Sequence, residues 1–144
     1  MERPVIREYQ ASDLDAVVKI WRRASELAHP FLTDEFLAQE REAIRDVYMP
    51  NTLAWVYEEA GSLLGFIALM GDEVGAIFVD PEHARRGVGR ALMDKAAGLY
   101  PTLEVDVFAA NHIGRSFYDG YGFVEIGRSI HEATGQEILR LRYG

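Results

Sequence analysis

The chain contains no cysteine. That excludes a thiolate nucleophile, a disulfide scaffold and a cysteine-based zinc site. No apolar run is long enough to span a membrane. The opening residues Met1-Glu2-Arg3-Pro4 have no apolar stretch of the kind that marks a secretory leader. Basic residues are in deficit, with 15 Lys and Arg against 23 Asp and Glu, for a formal net charge of −8. That sign argues against a nucleic-acid partner and favours a cationic one, although surface solubility explains it equally well. Internal repeats, linkers and low-complexity segments are also missing. What remains is a chain of 144 residues, 49% hydrophobic and 11% aromatic. It is expected to fold as one domain over 1–144, in the cytoplasm and off the membrane.

The hydrophobic pattern gives a mixed element order. Residues 5–9 read as a strand. Ser12-Asp13-Leu14-Asp15 supplies an N-cap and early carboxylates. Leu14, Val17, Val18 and Trp21 then recur at helical spacing up to about Leu27. His29-Pro30 breaks the run. Thr33 caps a second helix with Phe36, Leu37, Ile44 and Val47 on its apolar positions, and Pro50 ends it. Strands follow at 53–59, 63–70 and 74–79, joined by turns short enough for antiparallel hairpins. A helix runs from Gly87 to Leu99 and a strand over 103–109. A short helix spans 113–121 with Gly122 beyond its end, and 123–132 with 138–143 make a last hairpin. The segment 74–109 is strand, helix, strand, which predicts one parallel crossover.

The densest signal lies in Phe78-Val79-Asp80-Pro81-Glu82-His83-Ala84-Arg85-Arg86-Gly87-Val88-Gly89-Arg90. An apolar strand leads into arginines and two spaced glycines that open a helix. The first amides of a helix lack intrahelical acceptors and carry partial positive charge. Gly87 and Gly89 place no side chain in front of them, and Arg85, Arg86 and Arg90 add cationic charge. This is a cradle for a pyrophosphate. It lacks the third glycine of a dinucleotide fingerprint and the Gly-Lys-Ser/Thr of a nucleotide P-loop.

A second motif follows the next strand. Asn111, Gly114, Tyr118, Gly122 and Phe123 stand at the spacing Asn-x-x-Gly-x-x-x-Tyr-x-x-x-Gly-Phe. Together the two motifs resemble the GNAT superfamily of N-acetyltransferases, in which Ala is usual at the Gly114 position. The Gln/Arg that opens the first motif is Ala84 here, with Arg85 and Arg86 beside it. Over Trp21 to Leu32 the chain is similar to small bacterial members implicated in protein lysine acetylation.

The resemblance implies an α+β, GNAT-like fold. It has a central mixed, mostly antiparallel sheet of about seven strands, one parallel β-α-β crossover and flanking helices. It implies acetyl-coenzyme A as co-substrate and direct attack of an amine, with no acyl-enzyme and no metal. Ile77, Phe78 and Val79 would pair with the pantetheine amides. Arg85, Arg86, Gly87, Val88, Gly89 and Arg90 would hold the pyrophosphate, and Asn111 and Phe117 would line the cofactor. Tyr118 would be the general acid for the leaving thiolate.

The base is sought in Asp106 or His29; Glu104 shares the face of Asp106 and reads as a solvated strand carboxylate. Asp106 is the first choice, and His29 lies in the loop that borders the acceptor. Phe31 is a candidate wall of that pocket. Asp72 and Glu73 read as a solvated hairpin tip, and His83, His112 and His131 as surface or turn residues. The expected acceptor is a primary amine on a basic protein, lysine or N-terminal. A small-molecule amine is the alternative, and a non-catalytic coenzyme A sensor is a third reading. A monomer and a homodimer are both compatible.

Overall fold

The computed structural model describes residues 3–144. Met1 and Glu2, part of the stretch read for a leader, lie outside them. The elements in chain order are β1 (Val5–Glu8), α1 (Leu14–Ala28), α2 (Asp34–Ala43), β2 (Leu53–Glu59), β3 (Ser62–Met70) and β4 (Glu73–Val79). There follow α3 (Val88–Leu99), β5 (Leu103–Phe108), α4 (His112–Tyr121), β6 (Val124–Ile130) and β7 (Glu137–Tyr143). The strands form one sheet in the order β1-β2-β3-β4-β5-β7-β6. Every neighbouring pair is antiparallel except β4 with β5. The expected α+β architecture and its parallel crossover are therefore present. Among the described residues no helix is long and apolar enough to cross a membrane.

Each face of the sheet carries its own core. On one face Val17, Ile20 and Trp21 of α1 and Leu37 of α2 pack with Ala54, Val56, Phe66 and Ala68. On the other, Val88, Leu92, Met93 and Ala96 of α3 and Tyr118 of α4 pack with Ile67, Val74, Val105, Val107, Leu139 and Leu141. Strand periodicity explains the division. In β5 it buries Leu103, Val105 and Val107 under α3 and leaves Glu104, Asp106 and Phe108 on the opposite face.

Two local expectations change. Helix α1 does not start from a Ser12 cap. A short 3-10 turn, Ala11–Asp13, precedes it, and the Asp13 carboxylate accepts from the Gln10 N–H at 2.8 Å while pairing with Arg7 at 2.9 Å. The Arg7 hydrogen bonds hold that carboxyl below its usual range. The second helix keeps its Thr33 cap, whose hydroxyl accepts from Phe36 N–H at 3.1 Å. Its end, however, widens into a π-turn over Ile44–Tyr48. The extra residue in that turn rotates the register. Val47, expected on the apolar face, is 61% exposed, and Tyr48 turns inward against the α1 and α2 core.

Helix α3 lies close on β3 because Gly65 has no side chain. A Cβ there would sit 2.9 Å from the Phe78 carbonyl oxygen, 3.0 Å from Val88 Cγ1 and 3.2 Å from Leu92 Cδ1. Gly65→Ala is expected to cost about 1–3 kcal/mol through overpacking, read as a lower urea midpoint at unchanged slope. An unshifted midpoint would show that α3 can move off the strand at no cost.

Candidate active site

The site starts from a fork in the sheet. β4 and β5 pair at only two positions, Glu73 with Glu104 and Val74 with Val105. Beyond them β4 continues with β3 as far as Val79 opposite Gly65, and β5 continues with β7 as far as Phe108 opposite Ile138. A β-bulge marks the parting. Ala68 pairs with Ala76 and Leu69 with Val74, so Gly75 has no partner across the ladder. From Gly75 to Val79 the β4 edge that faces β5 is outside the ladder. Its backbone groups can accept an extended ligand as a further strand does.

The glycine loop lies at the far end of β4. Asp80 is nearly buried and receives the Glu82 N–H at 3.0 Å, while Arg23 of α1 holds its other oxygen at 3.0 Å. Arg85 and Gly87 both have left-handed backbones, with φ of 64° and 83°. Such curls are the geometry of anion-binding nests. No side chain caps the N-terminus of α3, so its first amides remain available to an anion. Arg90 stacks on Tyr121, 5.4 Å from the ring centre, and Arg86 reaches Glu59 at 3.3 Å.

The glycines serve different needs. A Cβ on Gly87 would meet nothing within 4 Å, so its left-handed φ is what asks for glycine. A Cβ on Gly89 would stand 3.1 Å from Phe117 Cε1. Gly89 therefore lets the Phe117 ring approach α3.

Asn111 caps α4, its Oδ1 receiving the Gly114 N–H at 2.8 Å. The opposite end of the amide, Nδ2, then faces His29 Nε2 at 3.2 Å. Because Nδ2 is a donor, Nε2 accepts, and the ring proton of His29 sits on Nδ1. Gly114 makes this possible, since a Cβ there would lie 2.5 Å from Asn111 Nδ2. The departure from alanine at this position thus has a local cause.

His29 bridges the fork. Its ring meets Phe78 of β4 at 6.4 Å, Phe108 of β5 at 5.3 Å and Phe31 at 5.7 Å, all edge-on. Burial pushes its imidazole down to about 4, so it is neutral near pH 7. With Nε2 engaged by Asn111 it is a weak base, better suited to shaping a wall. The aromatic wall continues from Phe108 to His131 at 5.3 Å and on to Phe36 at 5.8 Å. His131, read as a surface or turn residue, does head the β6–β7 turn, and it also packs between these two rings while Nδ1 meets the Thr134 hydroxyl at 2.9 Å.

Carboxylates line the β5 side. Arg140 of β7 donates to both Glu73 oxygens at 3.0 and 3.1 Å, to Glu104 at 3.0 Å and to Asp106 at 3.2 Å. Glu73 is therefore held in an ion-pair cluster, where a solvated hairpin tip was expected. Asp106 has the longest of these contacts, and its side chain is 50% exposed. Tyr118 is buried on α4, between Phe117 at 5.5 Å and Phe123 at 5.4 Å. Burial first, and the nearby Tyr48 phenol second, push its hydroxyl well above the usual tyrosine range. It therefore keeps its proton at neutral pH, as a proton donor must.

Residues 50–125 match the family model described as an acetyltransferase (GNAT) domain. The chain belongs to the GNAT acetyltransferases. It is 38% identical over 120 residues to the peptidyl-lysine N-acetyltransferase YiaC of Escherichia coli K12, covering 83% of this chain and 82% of that one. It is 31% identical over 141 residues to the peptidyl-lysine N-acetyltransferase YjaB of the same organism, covering 96% and 95%. The solution structure of apo YjaB from Escherichia coli superposes with a TM-score of 0.88 at 30% identity, over 98% of this chain and 97% of that one. The fold is also that of the PaiA N-acetyltransferase of Thermoplasma acidophilum in complex with coenzyme A, with a TM-score of 0.77 at 16% identity over 98% and 99%.

Within this acetyltransferase, His29 generates a pH signature. Its folded-state value near 4 lies below the ordinary 6.5, so the unfolded chain binds the extra proton between those values. Stability attributable to His29 is present above about pH 6.5 and is lost as pH falls toward 4, by about 3 kcal/mol in all. Urea melts of wild type and His29→Gln across this range should converge as the pH drops. Parallel curves would mean that the imidazole protonates freely in the folded state.

Proposed function

We propose that this enzyme transfers acetyl from acetyl-coenzyme A to a primary amine, with a protein lysine or N-terminal amine as acceptor. The observation that carries the reading is the polarity of the fork. Unpaired β4 backbone leads at one end to a cationic loop, with the wall of His29, Phe78 and Phe108 at that open end, and at the other to the carboxylates around Arg140. That the named relatives YiaC and YjaB are peptidyl-lysine N-acetyltransferases supports the choice of acceptor.

Acetyl-coenzyme A supplies the acetyl group as a thioester. The backbone of Ile77, Phe78 and Val79 holds the pantetheine arm by ladder-type hydrogen bonds. A backbone N–H near Phe78 or Val79 faces the oxyanion that develops on the carbonyl. The amides of Val88, Gly89 and Arg90, with Arg85, Arg86 and Gly87, hold the pyrophosphate. Phe117 lines the arm. Asn111 acts from one step back, because its amide is committed to the α4 cap and to His29.

The acceptor reaches the fork as an ammonium and must lose a proton before it attacks. Glu73, Glu104 and Asp106 give the fork negative charge, and Asp106 is the proton acceptor among them, being the least tied to Arg140. The nitrogen lone pair forms the N–C bond and the C–S bond breaks. The sulfur takes the Tyr118 proton, and the amide nitrogen sheds its surplus proton to the carboxylate side. The soluble, cytoplasmic setting expected from the sequence is compatible with this chemistry.

Two substitutions test the halves separately. Gly89→Asp adds a carboxylate in the first turn of α3, which the helix tolerates. It displaces Phe117 and competes with phosphate for the amides. Calorimetry should show coenzyme A binding lost while the melting temperature holds, and unchanged affinity would remove the phosphate cradle from the scheme. Tyr118→Phe keeps the ring and deletes the acid. The expected kcat falls by about 10²–10⁴-fold, with coenzyme A affinity retained. A wild-type kcat in free-thiol assays would mean that the sulfur leaves without Tyr118.

A further inference from the structure

Two backbone irregularities face each other at the fork. The π-turn over Ile44–Tyr48 delivers Tyr48, and the β4 bulge presents Gly75. A Cβ on Gly75 would coincide with the Tyr48 hydroxyl, so the phenol occupies the space that glycine leaves. π-turns and bulges both concentrate at functional sites, where they aim a side chain that regular structure would not. Here the two serve the same atom.

That atom has no partner. The Tyr48 oxygen is shielded from solvent and makes no hydrogen bond among the described residues. A buried hydroxyl without a partner costs about 1–3 kcal/mol, and phenylalanine would fill the same volume without that cost. The phenol lies at Gly75, where β4 parts from β5. Tyr48 lies near enough to Tyr118 to perturb it. Burial first, then Glu73 and Glu40, push Tyr48 itself up to about 12, so it remains a neutral phenol able both to donate and to accept. Glu40, also raised by burial, feels His131 of the aromatic wall.

We propose that Tyr48 is a second phenol of the reaction centre, whose hydroxyl is hydrogen-bonded by the acceptor nitrogen and directs its lone pair toward the thioester. The partner missing from the protein is the substrate. Tyr118 serves the leaving sulfur and Tyr48 the incoming nitrogen. No proton needs to end on Tyr48, because the surplus proton leaves for the carboxylates already described. The inference rests on the acetyltransferase reading of the site.

The test is Tyr48→Phe, assayed with acetyl-coenzyme A and a lysine peptide that wild type acetylates. The acceptor kcat/KM is expected to fall about 10- to 100-fold, as for a lost hydrogen bond to a charged or charging group. Coenzyme A affinity by calorimetry should hold, and the melting temperature should stay level or rise because an unpaired hydroxyl has been removed. A variant with wild-type acceptor kcat/KM overturns the role of Tyr48. So does a variant that loses coenzyme A affinity or melting temperature in step with activity, since that marks a packing residue. A wild-type protein that releases no thiol with any peptide or small amine overturns the acetyltransferase reading and this inference with it.

Discussion

The parting of β4 from β5 is the constraint on which the rest depends. Sheets keep their ladders because an unpaired, buried N–H or C=O is costly. Here the ladder stops after two pairs, and both strands continue in the company of other neighbours. The fold can maintain such a gap because each strand is anchored on its far side, β4 by β3 and β5 by β7. The two apolar cores, one on each face, keep the divided sheet rigid. The cleft is therefore a designed omission in the sheet, lined by polar backbone and closed to collapse by packing elsewhere.

Charge is distributed along this cleft with opposite sign at its two ends. Arg85, Arg86 and Arg90 cluster at the helix end, where the α3 dipole adds to them. Glu73, Glu104 and Asp106 gather at the strand end around the guanidinium of Arg140, and Arg142 stands opposite Glu104 across the β5–β7 ladder. Arg140 fixes the geometry of the three carboxylates. Under the proposed acetyl transfer, an anionic carrier and a cationic acceptor would be drawn to different ends of one slot.

What could be read from the sequence was what short-range chemistry encodes. Gly87 and Gly89 before an apolar helix, and Asn111 with Tyr118, Gly122 and Phe123 at fixed spacing, are local patterns set by helix ends. The element order followed from periodicity for the same reason. The aromatic wall was far less visible. His29, Phe78, Phe108 and His131 come from four separate segments, and only the tertiary fold makes them neighbours. Glu73 looked like a hairpin tip because its partner Arg140 is 67 residues away. Tyr48 was hidden by a change of register. With 3.6 residues per turn Val47 belongs inside, and only the widened turn exchanges it for Tyr48. The single-residue bulge at Gly75 leaves a glycine as its trace, and an isolated glycine in a strand has several explanations.

The Asp80 carboxylate links parts of the molecule that are otherwise separate. Its backbone N–H donates to Leu64 of β3 at 2.7 Å, one side-chain oxygen orders the start of the glycine loop, and the other is gripped by Arg23. Arg23 also reaches Glu82 at 3.0 Å. Helix α1, which leads directly into His29 and the aromatic wall, is therefore tethered to the glycine loop. Displacement of either strains one shared ion pair. Were ligands to bind at both ends, any change that one made in the affinity of the other would be returned in equal measure. A single buried acid thus joins the helix behind the aromatic wall to the glycine loop through one ion pair.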